Sequence, residues 1–189
     1  MTLRVLIVCT ANVCRSPMAE GLLRRHCDQA GVAATIVSAG THMPGIPVDP
    51  LAVVAAGELG IDINGHRPRQ LTRTLIDTDG ADLLLTMTRE QLRHAATSAH
   101  GAFRRTFTLR EFARRSTLAP PQPGEPLAAW LNTLATDRQV RDLMGDDPAD
   151  DVADPYGRSL DEHRVCAQQL DRVTSEAAAA LAVLFSPVR

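Results

Sequence analysis

A cysteine followed six positions later by an arginine, Cys9-Thr10-Ala11-Asn12-Val13-Cys14-Arg15, pairs a strong side-chain nucleophile with the side chain best shaped to hold two oxygens of a phosphate. The flanks decide whether the spacing means anything. Leu3 to Val8 is a continuous run of leucine and β-branched residues, the pattern of a strand buried on both faces. On the other side, Ser16-Pro17 supplies an N-cap and a proline at the first helical position, and Met18, Leu22, Leu23 and Cys27 recur at helical spacing. Strand, short loop and helix bring the cysteine sulfur beside backbone NH groups and a helix N-terminus, which is an anion site. The same field favours a thiolate, because the deprotonated sulfur is itself an anion. Arg15 can return to the loop centre with its planar fork, and Ser16 is placed to hydrogen-bond the sulfur and make it a better leaving group. Two common residues at one spacing are a weak signal, and a core cysteine with a surface arginine nearby would share it. The strand before and the helix after favour chemistry.

The elements that must position this loop follow the same alternation. Ala34 to Val37 reads as a second short strand, and Asp49-Pro50 opens a helix that ends at Gly60. Leu83 to Leu85 is a third buried strand, followed by a helix from Arg89 to His94, and Phe107 to Phe112 reads as a short strand running into a helical turn. A last helix from Leu160 to Leu184 carries Val165, Leu170, Val173, Ala177, Leu181 and Leu184 as its core stripe. The pattern predicts an α/β fold with a four-stranded parallel sheet, helices on both faces in three layers, and the Cys9 loop at the carboxyl end of the first strand. Residues 116–151 break the alternation. Ala119 to Gly124 is a loop, Leu127 to Met144 reads as helix, and Gly145 to Asp151 as an acidic turn. The expectation is a single domain over 1–189 with 116–151 as a helical insertion before the acidic loop.

Bulk properties exclude more than they assign. A chain of 189 residues with 44% hydrophobic and 22% charged residues fits one soluble core. A net charge of -2 gives no electrostatic reason to expect a nucleic acid partner. All twenty basic residues are arginine, so lysine-based Schiff-base and Walker-type mechanisms drop out. No stretch approaches a membrane span and the N-terminus lacks the form of a signal peptide, which makes the cytoplasm the expected compartment and reduced thiols the expected state of Cys9, Cys14, Cys27 and Cys166. Cys27 and Cys166 read as isolated core residues, and no metal-ligand spacing is seen.

Val8 to Glu20, with its Cys-x5-Arg-Ser-Pro core, resembles the signature of the low-molecular-weight protein tyrosine phosphatases. Ser38-Ala39-Gly40, Gly60-Ile61-Asp62, His66 to Leu71 and Asp154-Pro155-Tyr156 match further family blocks in order. The resemblance implies a phosphomonoester phosphatase working through a phosphocysteine on Cys9. Arg15 would bind phosphate together with the loop residues Thr10, Ala11, Asn12, Val13, Cys14 and Ser16. Asp154 would serve as general acid and then base, with Asn12 and Ser38 shaping the loop, His66 bracing it and Tyr156 in support. From the residues alone, Asp146, Asp147, Asp150, Asp151 and Asp154 are not distinguishable, and the family context selects the last. The resemblance also implies that Cys14 can pair with Cys9 as protection against overoxidation. No metal or organic cofactor is expected, because thiolate, guanidinium, loop amides and one carboxylic acid supply the whole reaction.

The chain also departs from the family pattern. Ala11 stands where a glycine is usual, which restricts the backbone where NH groups must converge. Residues 41–47 carry no aromatic side chain, Met87-Thr88 replaces the usual Met-Asp, and Gly157 follows Asp-Pro-Tyr in place of a second tyrosine. The 116–151 segment enters just before Asp154 and can wall the site, with Trp130 expected to anchor its helix. Three substrate readings follow: a phosphotyrosine protein, a small phosphorylated metabolite, or arsenate reduction on the same fold. The last needs a downstream cysteine pair that the chain lacks. A non-catalytic phosphate-binding module is the alternative from another class, and the joint presence of Cys9, Arg15 and Asp154 argues against it. Physiological substrate and oligomeric state are left open by the sequence.

Overall fold

A computed structural model describes residues 2–42, 45–77, 80–138 and 148–186. Its centre is a parallel sheet of β1 (Leu3–Cys9), β2 (Ala34–Gly40), β3 (Leu83–Thr86) and β4 (Thr106–Thr108), in the order β2-β1-β3-β4. The helices are α1 (Arg15–Gln29), α2 (Pro50–Glu58), α3 (Arg73–Asp77), α4 (Arg89–Ser98), α5 (Leu109–Leu118), α6 (Leu127–Leu134) and α7 (Leu160–Leu184).

Side-chain alternation along β1 sorts the helices into layers. Leu3, Val5, Ile7 and Cys9 belong to one core cluster with Met18 and Leu22 of α1, Phe112 of α5 and Leu170 and Leu181 of α7. Leu6 and Val8 point the other way, into a smaller cluster with Ile76 of α3 and Ala95 of α4. Period-2 alternation with apolar residues on both faces is what a sheet covered on both sides requires, and it gives the expected three layers. Because β2 lies on one side of β1 and β3 on the other, the loop after β1 sits at the point where strand order reverses, the usual ligand position of such sheets.

Caps set several helix starts. Asp49 accepts from the backbone N–H of Leu51 at 2.8 Å and of Ala52 at 3.2 Å, starting α2 with Pro50 at its first position. Capping boxes open α4, through Thr88 and Gln91, and α7, through Ser159 and Glu162.

Several boundaries differ from the sequence reading. α1 begins at Arg15 with Cys14 as N-cap and no capping side chain, so Ser16 is already helical and its hydroxyl is free for other work. β2 runs on to Gly40 because pairing with β1 continues to Cys9. α4 extends to Ser98, and the turn expected after Phe107 is the full helix α5, capped by Thr108. α3 was not anticipated. α6 stops at Leu134 and continues as a turn, while the rest of the expected helix and Gly145 to Asp147 of the acidic turn lie outside the described residues. On α7, Val165 is 67% exposed, and Cys166 with Ala167 takes the inward position instead.

The described residues of the 116–151 segment lie at opposite edges of the sheet. α6 packs at the amino-terminal edge of the sheet, where Leu127 and Leu131 share a groove with Leu3 of β1 and Leu184 of α7. Trp130 anchors it: the ring is buried, packs edge-on to Phe112 at 5.6 Å, and its Nε1–H donates to the Ala119 carbonyl at 2.9 Å. Asp150, Asp151 and Val152 return the chain to the carboxyl edge, where Thr108 Oγ1 donates to the Asp150 carbonyl and the Arg89 N–H to Asp151.

Candidate active site

Cys9 ends β1 buried, with its sulfur 2.9 Å from Ser16 Oγ and accepting the Asn12 N–H at 3.2 Å. Asn12 Nδ2 donates to Ser16 Oγ at 2.9 Å, which directs the single hydroxyl hydrogen of Ser16 toward the sulfur.

Asn12 is the centre of the loop. It is fully buried, and among the described residues it is the one non-glycine with positive φ, at 57°. Asparagine tolerates that region better than most residues because its short amide can bond locally. Here Nδ2 also donates to Ser38 Oγ at 2.8 Å, and Oδ1 accepts from the Arg69 backbone N–H at 3.0 Å and contacts His66 Nε2 at 3.1 Å. Ser38 Oγ in turn donates to Glu20 at 2.6 Å. The left-handed residue is therefore Asn12 and not Ala11, so the alanine in place of the family glycine needs no forbidden backbone angle. Glycine is required at position 40 instead, where an added Cβ would stand 2.6 Å from the Thr10 carbonyl oxygen and 3.0 Å from the Asn12 nitrogen.

Arg15 lies buried across the loop. Its guanidinium donates to the Val152 carbonyl at 3.1 Å and to Thr10 Oγ1 at 3.4 Å, and pairs with the Asp154 carboxylate. Its Nε–H is buried with no partner among the described residues, a donor that an anion's oxygen would satisfy. Asp154 is held from outside, with Oδ1 accepting the Tyr156 N–H at 3.2 Å. Its side chain is 46% exposed, and Tyr156, two residues on, is about half exposed.

The residues named from the sequence thus gather at one end of β1. Gln91 was missed: it is buried, its Nε2–H donates to Thr10 Oγ1 at 3.0 Å, and its Oε1 accepts from the backbone of Met87 and Thr88. It ties the β3–α4 turn to the loop. Its one sequence signal was the Thr88-x-x-Gln91 capping spacing, which says nothing of a second partner. Glu20, reached through Ser38, carried no signal of its own.

The other thiols are quieter. All four cysteines are free, Cys9 and Cys14 included. Burial, then the nearby Asp49 carboxylate, holds the Cys14 thiol far above its ordinary range. Cys166 is a buried core residue, as expected, and burial pushes its thiol up to about 12, with the charges at Arg15, Asp154 and Cys9 also acting on it. Burial also lowers His66 from its usual value, against the pull of Glu20 and of the Asn12 contact, leaving a neutral ring to brace the loop.

This arrangement belongs to a known class. Residues 4–128 match the family described as low molecular weight phosphotyrosine protein phosphatase. The chain belongs to that family. It is 46% identical over 90 residues to the probable low molecular weight protein-tyrosine-phosphatase EpsP of Ralstonia solanacearum, a match covering 47% of this chain and 58% of that protein. It is 34% identical over 142 residues to the protein-arginine-phosphatase of Bacillus subtilis, covering 74% of this chain and 88% of the relative. The crystal structure of a low molecular weight protein tyrosine phosphatase from T. tengcongensis superposes with a TM-score of 0.68 at 30% identity, over 93% of this chain and 97% of that one. The chain spans little more than half the length of EpsP, and the family match ends at residue 128, before Asp154.

Proposed function

We propose that this chain is a cysteine-dependent phosphatase with Cys9 as nucleophile, Arg15 as phosphate clamp and Asp154 as general acid and base. The observation that carries this reading is that a carboxylate 139 positions from the arginine meets it across the mouth of the loop, beside a cysteine sulfur already supplied with two hydrogen-bond donors. The sulfur attacks phosphorus in line with the ester bond while Arg15 and the loop amides hold the equatorial oxygens. Asp154, in its protonated form, gives its proton to the leaving oxygen. The carboxylate then takes a proton from water as that water attacks the phosphocysteine, and the Ser16 hydroxyl stabilises the departing thiolate. An entering phosphoryl group takes the edge of Arg15 that Asp154 now occupies, freeing the carboxyl to face the leaving group.

For substrate, we infer phosphotyrosine on a protein. Residues 41–47 bring no aromatic ring, but Tyr156, the one tyrosine of the chain, is 52% exposed two residues from the acid and offers a face for a phenyl ring to stack on. A cytoplasmic location and a single domain containing the 116–151 insertion complete the reading; among the described residues no helix is long and apolar enough to cross a membrane. The test is catalytic efficiency on phosphotyrosine peptides, phosphoarginine peptides, small phosphorylated metabolites and para-nitrophenyl phosphate. Phosphotyrosine peptides should lead, with loss of preference on Tyr156→Ala. Cys9→Ser should lower turnover on the order of 10^4-fold or more. Turnover that survives Cys9→Ser would overturn the mechanism, and leading rates on either of the other natural classes would overturn the substrate.

A further inference from the structure

The buried side of the phosphate loop holds a second cluster that the proposed reaction does not use. Cys14, Asp49 and His163 each present one donor atom, and the three atoms lie within 4.8 Å of one another. They come from separate elements: Cys14 is the N-cap of α1, Asp49 the N-cap of α2, and His163 stands in the first turn of α7. The backbone draws the first two together, since the Asp49 N–H donates to the Val13 carbonyl at 2.9 Å.

His163 is 0% exposed and its Nδ1 lies 2.9 Å from the Ser159 carbonyl. A carbonyl only accepts, so Nδ1 carries the hydrogen, and in the neutral ring Nε2 presents its lone pair. That nitrogen has no hydrogen-bond partner among the described residues, although it stands 3.4 Å from Asp49 Oδ1. The close approach therefore lacks hydrogen-bond geometry. A buried lone pair facing a carboxylate is repelled unless a cation lies between them. The Cys14 sulfur closes the third side.

We propose that Cys14, Asp49 and His163 form a binding site for a zinc-class divalent cation behind the phosphate loop. Thiolate, imidazole and carboxylate are a donor set zinc accepts, and the carbonyl bond on Nδ1 is the contact that orients a ligating histidine. Donors around a tetrahedral zinc stand about 3.3–3.7 Å apart, so small side-chain rotations close the present set. On binding, the Cys14 S–H bond breaks, its proton leaves to solvent, and the sulfur lone pair bonds the metal with no change in oxidation state. Water takes the fourth position. The cation would tie α1, α2 and α7 together at the residue preceding Arg15, without touching Cys9.

The test uses the full-length, untagged chain, reduced with a phosphine and freed of metal by a chelator, then titrated with Co2+ and Zn2+. One equivalent of Co2+ should raise a thiolate-to-cobalt charge-transfer band that Zn2+ abolishes, and Zn2+ should raise the melting temperature. The band should persist in Cys9→Ser and disappear in Cys14→Ser. Affinity should fall tenfold or more in His163→Gln and in Asp49→Asn. Asn keeps the cap acceptor of α2, so this variant carries the test if His163→Gln fails to fold. A band that vanishes in Cys9→Ser but survives in the other variants would place the metal on the nucleophile and overturn the site. A cooperatively melting wild type with no band would overturn it too. None of these readouts depends on phosphatase activity.

Discussion

The two ends of β1 are held by different physics. At the Cys9 end, Asn12, Ser16, Ser38, Glu20 and His66 form a chain of directional hydrogen bonds, and Gln91 separately holds Thr10. At the Leu3 end, β1 opens on an apolar groove of about 760 Å³ between Leu127, Leu131 and Leu184, and α6 is secured by the burial of Trp130. A polar network satisfies its groups in one geometry and fails if one member is displaced. Apolar burial is non-directional and scales with area. Rate should therefore be sensitive at the first end and stability at the second.

The largest effect on rate within this contrast is expected from Asp154→Asn, which keeps a partner for Arg15 but no titrating proton. Turnover should fall about 10^2- to 10^4-fold while the denaturation midpoint stays near wild type, because the side chain is 46% exposed. Comparable unfolding and activity losses would mean that Asp154 is a structural partner of Arg15. Gly40→Ala comes next. Its Cβ would meet the Thr10 carbonyl at 2.6 Å and push the loop, with a rate loss on the order of 100-fold, measured at saturating para-nitrophenyl phosphate.

Trp130→Ala tests the other end. Truncating a buried tryptophan should cost about 3–5 kcal/mol in chemical denaturation, yet the specific activity of the folded fraction should hold. A fall in kcat without unfolding would break the contrast by showing that α6 reaches the loop.

The smallest effect concerns His66, whose folded value lies below the ordinary 6.5, first through burial. A group held below its unfolded value binds more protons when unfolded, so stability rises with pH across the interval between the two values. Stability should therefore decline as pH falls below about 6.5 and level off beneath the folded value. His66→Gln should flatten that part of the profile, while an unchanged slope would assign it to other groups.

Much of this was legible in the chain because it is local. The apolar run before Cys9, the proline after Ser16 and the six-residue step to Arg15 specify strand, loop and helix within one short stretch, where backbone geometry leaves few alternatives. The family blocks extended the reading to Asp154 and His66. Boundaries were less legible, since β2 reaches Gly40 only because β1 offers it partners as far as Cys9, and Val165 faces solvent because the phase of a long helix is set by what it packs on.

What the sequence determined by itself was the strand, loop and helix around Cys9 and the parallel sheet beneath them, since these follow from periodicity and short spacing. The tertiary structure alone decided that Asn12, not Ala11, takes the left-handed turn, that Gln91 grips Thr10, and that Cys14, Asp49 and His163 converge. Each depends on contacts between residues far apart in the chain, and no local pattern encodes which distant side chains the packing of α2, α4 and α7 will bring to the same loop.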